Sequence, residues 1–168
     1  MAKTEKQPQN KWVHFFIDDY QFERIWNFPQ KYLSLFKRFN GIITPDFSMY
    51  SYLPKAQQIW NCYRNRAYAH WLQINDIRII PTVEWSDFSD FDWCLDGLPK
   101  NSSLAIGTYG CNTSLMNRYG LIKGIEKVCA ELEPYSLILY GNRIKSIDYM
   151  CKNVIWLENY CNQIKKRI

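Results

Sequence analysis

The sequence predicts an α/β domain with a mostly parallel sheet of about six strands and helices on both faces. Short apolar runs alternate along the chain with longer segments whose apolar residues recur at helical spacing. The predicted strands are continuously apolar, which is typical of a sheet covered on both faces. A doubly wound sheet fits this pattern best. An incomplete β/α barrel is the alternative, because six strands are too few for a closed eight-stranded barrel.

Six apolar runs supply the predicted strands, at residues 12–17, 42–44, 77–83, 104–106, 137–140 and 154–157. Segments of helical periodicity separate most of them, at residues 21–27, 29–39, 54–75, 113–133 and, more briefly, 143–151. Pro29 should break the first helical segment into two pieces, because proline cannot continue the hydrogen-bond ladder. The connection 86–102 is the longest, and we expect one short helix there, ending at Gly97.

The longest predicted helix begins at Pro54, where proline suits the first turn. Its apolar residues fall on one side, and we expect that side to face the core. They are Ala56, Ile59, Trp60, Tyr63, Ala67, Trp71 and Ile74.

Composition limits the classes of protein that fit. The chain has 168 residues, which suits one domain, and we expect a flexible basic tail at 1–11 followed by a single α/β domain at 12–168. The net charge is +5, much of it near the two ends, so nucleic acid is the least favoured partner. The first ten residues are polar and no run of 18 apolar residues occurs, so we expect a protein of the bacterial host cytoplasm with no membrane partner.

Aromatic residues are unusually frequent, at 17% of the chain. A protein of this size cannot bury all 7 Trp, 12 Tyr and 9 Phe. Some of these rings should therefore reach the surface or a pocket, where flat ligands stack or protein partners dock.

Polar and aromatic side chains follow five of the predicted strands. Because parallel strands place their carboxyl ends at one edge of a sheet, these side chains predict a single polar cleft. The candidates are Asp18, Asp19, Asp46, Ser48, Glu84, Trp85, Thr108, Tyr109 and Tyr140.

Three interpretations of the acidic residues remain open. Asp18, Asp46 and Glu84 are the oxygen ligands that a divalent metal such as Mg²⁺ would take, and a metal there would support hydrolysis. Alternatively, the acids hydrogen-bond the sugar hydroxyls or base amino groups of a nucleotide. In the third interpretation they only cap helices and turns. Arg64 and Arg66, on the longest helix, either clamp phosphates or form structural ion pairs.

Five segments also carry a family resemblance. They are HFFIDDYQF at 14–22, PDFSMY at 45–50, QIWNCYRNRA at 58–67, GLPKNS at 97–102 and AIGTYGC at 105–111. With these segments the chain resembles the family of unknown function DUF4417. The resemblance implies an origin in phages, prophages or other mobile elements, and it supplies no catalytic assignment.

Three hypotheses follow for the function. In the first, the cleft of a phage accessory protein binds a nucleotide-like or phosphorylated small ligand and thereby counters host defence. In the second, the protein is a metal-dependent hydrolase or nuclease that acts on nucleotides or nucleic acid. In the third, it inhibits a host protein through its surplus aromatic residues. The sequence leaves open whether the chain is an enzyme.

Overall fold

The computed structural model describes residues 4–111 and 114–159. The chain divides into two compact units, Met1–Glu84 and Trp85–Ile168, which we call unit 1 and unit 2. The three basic residues near the C-terminus, at 165–167, and the first predicted residue of the last long helix, Thr113, lie outside the described residues.

The strands form two three-stranded parallel sheets, one in each unit. The predicted α/β class is therefore confirmed, whereas the single six-stranded, doubly wound sheet is not. Within each sheet the strands follow chain order, without the reversal of order that defines a doubly wound sheet. Unit 1 contains β1 (Trp12–Val13), β2 (Gly41–Ile43) and β3 (Ile79–Ile80), and unit 2 contains β4 (Ser103–Gly107), β5 (Ser136–Tyr140) and β6 (Val154–Leu157).

The described residues form four α-helices beside the sheets. They are α1 (Asp19–Asn27), α2 (Gln30–Phe36), α3 (Lys55–Ile74) and α4 (Leu115–Leu132). Pro29 separates α1 from α2, as predicted. Short 3₁₀ helices occupy Pro8–Asn10, Phe88–Asp92 and Lys145–Tyr149.

The first strand is much shorter than the apolar run that predicted it. Only Trp12 and Val13 pair with β2, and the chain then turns, with Ile17 N–H donating to Phe15 O at 2.7 Å. Phe15 is buried in the core of unit 1 rather than extended along the sheet. The run 12–17 continues past the strand because Phe15 fills the core, whereas Ile17 is exposed, so the length of the run overstated the strand.

The core of unit 1 is a cluster of aromatic and aliphatic side chains. It consists of Phe15, Phe22, Ile25, Phe36, Ile42, Phe47, Tyr68, Leu72 and Ile77. Helices α1, α2 and α3 all contribute to it, and Phe47 follows β2 directly into its centre. Because Phe47 is fully buried, the segment next to Asp46 is anchored in the core.

Helix α3 presents the opposite face to the one predicted. The side expected in the core is largely exposed, with Ile59 and Trp60 each 48% exposed and Tyr63 56% exposed. The buried side instead carries Gln58, Asn61, Cys62, Arg64, Asn65, Tyr68, Ala69 and Leu72. Burying a polar side chain costs free energy unless hydrogen bonds replace those it made with water. The buried polar side chains of α3 find such partners in the loop after β2.

In unit 2, helix α4 packs closely against Trp85, the first residue of the unit. A Cβ atom at Gly124 would lie 2.2 Å from the ring of Trp85. The glycine is therefore required at this contact. Strand β5 is buried along its whole length, between β4 and β6.

Within the described residues, no helix has the length and apolar character needed to cross a membrane.

Candidate functional site

The ends of β2 and β3 are joined by two buried threonines. The hydroxyl groups of Thr44 and Thr82 lie 3.1 Å apart, and Thr82 N–H donates to Thr44 Oγ1 at 2.9 Å. The Thr82 hydroxyl also donates to the carbonyl of Pro45 at 2.9 Å. These bonds fix the chain immediately before two acidic residues, Asp46 and Glu84.

Three buried amide side chains of α3 hold the loop that contains Asp46. Gln58 donates to Tyr50 O at 2.9 Å and Asn61 donates to Ser48 O at 2.7 Å. Asn65 Oδ1 accepts the backbone N–H of Phe47 at 3.1 Å. The spacing of the three positions places them on one side of the helix, so the loop is fastened along its length.

The carboxyl groups of Asp46 and Glu84 form a hydrogen-bonded pair. Both residues are partly exposed, whereas the Oε2 atom of Glu84 is buried. Asn65 Nδ2 donates to Glu84 Oε1 at 2.6 Å and thereby orients that carboxyl group. Glu84 Oε2 is buried and has no N–H or hydroxyl partner among the described residues.

Burial is the main reason that both acids hold protons more tightly than usual. It raises the pKa of Asp46 to about 6, with a further contribution from the negative charge of Asp19. Burial also raises the pKa of Glu84 well above its ordinary value, and the neighbouring Asp46 charge adds to this effect. Two carboxyl groups in contact cannot both ionise easily, so the pair favours a state with one shared proton.

Two further groups adjust this pair. The positive charge of Arg66 favours the ionised form of Glu84 and so opposes part of the rise in its pKa, and Arg66 also donates to Thr82 O at 3.1 Å. Asp19 accepts both the backbone N–H and the hydroxyl group of Ser48, at 3.0 and 2.8 Å. The beginning of α1 is thereby connected to the loop that carries Asp46.

Arg64 is engaged in structural contacts. Its guanidinium donates to Glu23 and to Asn61, each at 2.7 Å, and lies 3.6 Å from the centre of the Phe47 ring. The residue is buried. The structure therefore shows Arg64 in an ion pair with Glu23, which is one of the two interpretations from the sequence.

Unit 1 thus brings together five of the predicted side chains, namely Asp19, Asp46, Ser48, Arg66 and Glu84, with Arg64 nearby in a structural role. Asp18 is exposed at the start of α1, where its carboxylate accepts a hydrogen bond from Gln21 at 3.1 Å. The structure does not place Asp18 in the carboxyl pair.

The other predicted residues belong to unit 2. The Thr108 hydroxyl is buried and donates to Tyr140 O at 3.1 Å, so it joins the ends of β4 and β5. Tyr140 is buried, whereas Tyr109 is 65% exposed. Trp85 packs on Gly124 and on Phe91, whose ring centre is 5.5 Å away.

Within the part of the chain that the structure describes, no group of three or more His, Cys, Asp or Glu side chains is arranged to hold a metal ion. Two cavities of about 250 and 600 Å³ lie in units 1 and 2, and both include residues at the amino ends of strands. The carboxyl pair lines neither cavity.

Sequence reasoning missed the amide side chains that build the site. Gln58, Asn61 and Asn65 follow the same helical period as the buried Tyr68 and Leu72, and this was the available signal. It was hidden because the opposite side of α3 is more apolar. Cys62 was also missed, although its charge when ionised would further raise the pKa of Glu84.

The chain is similar to a protein family and to proteins of two phages. The model of the family described as "Domain of unknown function (DUF4417)" matches residues 1–160. The chain is 37% identical over 129 residues to the Gene 1 protein of Mycobacterium phage L5. This alignment covers 77% of this chain and 56% of the relative. It is 33% identical over 138 residues to the Gene 1 protein of Mycobacterium phage D29. This alignment covers 82% of this chain and 51% of the relative.

The chain therefore spans about half the length of the curated relatives it matches. No solved structure shows a significant match.

Proposed function

The chain belongs to the DUF4417 family, and from this premise we propose that it is a phage accessory protein that binds a nucleotide-like ligand at the Asp46–Glu84 pair of unit 1. The phage origin of the two relatives agrees with the accessory role. The observation that carries the proposal is the contact between two partly exposed carboxyl groups, in which burial raises the pKa of both.

The chemistry of the pair suits the edge of a nucleobase. On binding, the protonated carboxyl group would turn its O–H from the neighbouring carboxylate to an acceptor of the ligand, and the ionised carboxylate would accept from a donor of the ligand. Amino-substituted bases present a ring nitrogen acceptor next to an amino donor, which is the complementary arrangement. Since Asn65 and Asp19 hold the surroundings of the pair in place, binding would require little reorganisation of the protein.

Arg66 is the group that would favour a phosphorylated ligand. Its positive charge acts on Glu84, so it would also attract a phosphate group of a ligand bound at the pair. In a phage protein, such binding would sequester a small signalling nucleotide of the host and so counter host defence.

The experiment is a binding titration with a panel of nucleosides and nucleotides, followed by calorimetry and native mass spectrometry. We expect Asp46→Asn and Glu84→Gln each to weaken binding about 10- to 100-fold, because each changes a hydrogen bond that involves a charged group. Asp18→Asn is the matched control, since Asp18 is exposed and outside the pair. The proposal fails if no nucleotide of the panel binds, or if the three variants bind equally well.

A metal-dependent hydrolase or nuclease remains the second hypothesis from the sequence. It would use Asp18, Asp46 and Glu84 as metal ligands, and no observation favours it. A titration with Mg²⁺ in the same calorimeter, without nucleotide, distinguishes it from the binding protein.

A further inference from the structure

The exposed side of α3 carries a stripe of mainly apolar residues along the helix. Its positions repeat at alternating steps of four and three residues, which is the spacing of a helix that packs on another helix. The positions are Ala56, Trp60, Tyr63, Ala67, His70 and Ile74. Ile59 adjoins the stripe and is as exposed as Trp60.

The rings of the stripe are already ordered against one another. Trp60 stacks on Tyr63 with ring centres 5.4 Å apart, and Trp26 of α1 meets Trp60 edge-on at 5.8 Å. Aromatic side chains fixed in this way lose little conformational freedom on association. Large exposed apolar patches of this kind mark interaction sites.

The stripe is complementary to itself when it is reversed. If two α3 helices lie antiparallel with residue 65 opposite residue 65, Tyr63 of one faces Ala67 of the other. Ala56 then faces Ile74, and Trp60 faces His70. Large side chains meet small ones in the layers nearest to the axis and farthest from it, and the two rings of Trp60 and His70 meet between these layers. By symmetry each contact occurs twice, as in an isologous interface.

We propose that this face of α3 binds α3 of a second copy of the chain, antiparallel and about a two-fold axis. The charges at the ends of the helix agree with this arrangement. Asp76 of one copy, just beyond the C-terminus of α3, comes beside Lys55 at the N-terminus of the other. The antiparallel order also sets opposite ends of the two helix dipoles side by side.

The dimer is weak on its own. One helix pair buries less than the roughly 1,200 Å² of a standard stable interface. We therefore expect a dissociation constant on the order of micromolar, with the population of dimer rising with concentration. The interaction is independent of the carboxyl pair, because it uses the opposite side of α3.

Sedimentation equilibrium over a roughly hundredfold range of concentration tests the proposal. The mass should rise from 20.2 kDa towards twice that value. Tyr63→Glu should lower the association constant by at least about tenfold, since it places two like charges near the axis. Tyr149→Glu is the control, because Tyr149 is 90% exposed and belongs to unit 2. Far-UV circular dichroism verifies that both variants remain folded.

A photoreactive benzoyl-phenylalanine at position 63 determines what occupies the face. Covalent dimers cross-linked to the peptide around Ala67 of the second copy support the antiparallel arrangement. The proposal is overturned by a monomer at all concentrations, by a dimer that Tyr63→Glu leaves intact, or by cross-links to another site. Capture of nucleic acid by the same face would also overturn it, and absorbance at 260 nm across the sedimentation boundary detects that outcome.

Discussion

Asn65 connects the conformation of the Asp46 loop to the position of Glu84. Its side-chain nitrogen donates to Glu84 Oε1 at 2.6 Å, while its side-chain oxygen accepts the backbone N–H of Phe47 at 3.1 Å. Phe47 is the residue directly after Asp46. One buried amide group therefore fixes the positions of both members of the carboxyl pair relative to each other.

Asn65→Ala should destabilise the protein by about 1–3 kcal/mol, because it leaves the N–H of Phe47 and one oxygen of Glu84 without their partner. Urea denaturation measures the loss. Gln73→Ala, at an exposed position of the same helix, is the control and should change the free energy of unfolding by less than about 0.5 kcal/mol. Equal effects of the two substitutions would show that the amide of Asn65 is not required.

Asp46→Asn should change how stability depends on pH. The pKa of Asp46 is about 6 in the folded protein, above its ordinary value of 3.8, so between these values the folded state holds more protons than the unfolded state. The free energy of unfolding of the wild type therefore falls as pH rises through this range. Relative to wild type, the variant should gain roughly 1–2 kcal/mol between pH 4 and 7, after allowance for the partial exposure of the pair.

Two other groups shape the same pH profile in the opposite direction. Burial lowers the pKa of His14, so stability falls when pH drops below the ordinary value for histidine. The hydrogen bond from Arg143 lowers the pKa of Asp148, so acid also removes that contribution. Both groups are present in the wild type and in the variant, so their contributions cancel when one stability profile is subtracted from the other. A difference that stays flat from pH 4 to 7 would contradict the raised pKa of Asp46.

The sequence predicted much of the secondary structure. The break at Pro29 and the last strand at 154–157 agree with the structure. The predicted helices that correspond to α1, α2, α3 and α4 agree with it to within a few residues at each end. Prolines and continuous apolar runs act locally, which makes such features readable from sequence. The division into two sheets was not predicted, because strand pairing depends on contacts between distant parts of the chain.

The orientation of α3 could not be predicted from hydrophobicity. Its exposed side contains Trp60 and Tyr63, whereas its buried side contains Asn61 and Asn65. Burying amide groups is favourable here only because the backbone of residues 47–50 supplies their partners, and a periodicity argument does not contain that information. The candidate acids were found because they follow strands directly, while the groups that orient them lie on the helix side that looked polar.

Arg64→Lys tests the structural role of a residue that sequence reasoning offered as a phosphate ligand. A lysine ammonium cannot bind Glu23 and Asn61 while also lying flat on Phe47, so stability should fall by about 1–2 kcal/mol. Arg24→Lys, at an exposed position of α1, is the control. Nucleotide affinity of the folded protein should remain within about twofold of wild type. A loss of nucleotide affinity without a loss of stability would show that Arg64 binds the ligand.

Two glycines of α4 give a matched test of packing in unit 2. A Cβ atom at Gly124 would lie 2.2 Å from the Trp85 ring, whereas one at Gly120 would meet nothing within 4 Å. Gly124→Ala should therefore destabilise the protein by about 1–3 kcal/mol, because the indole or the helix must move. Gly120→Ala should stabilise it by about 0.5–1 kcal/mol, since alanine favours the helix and restricts the unfolded chain. Thermal denaturation of both variants measures the two effects, and similar melting temperatures would mean that α4 does not pack against Trp85 as described.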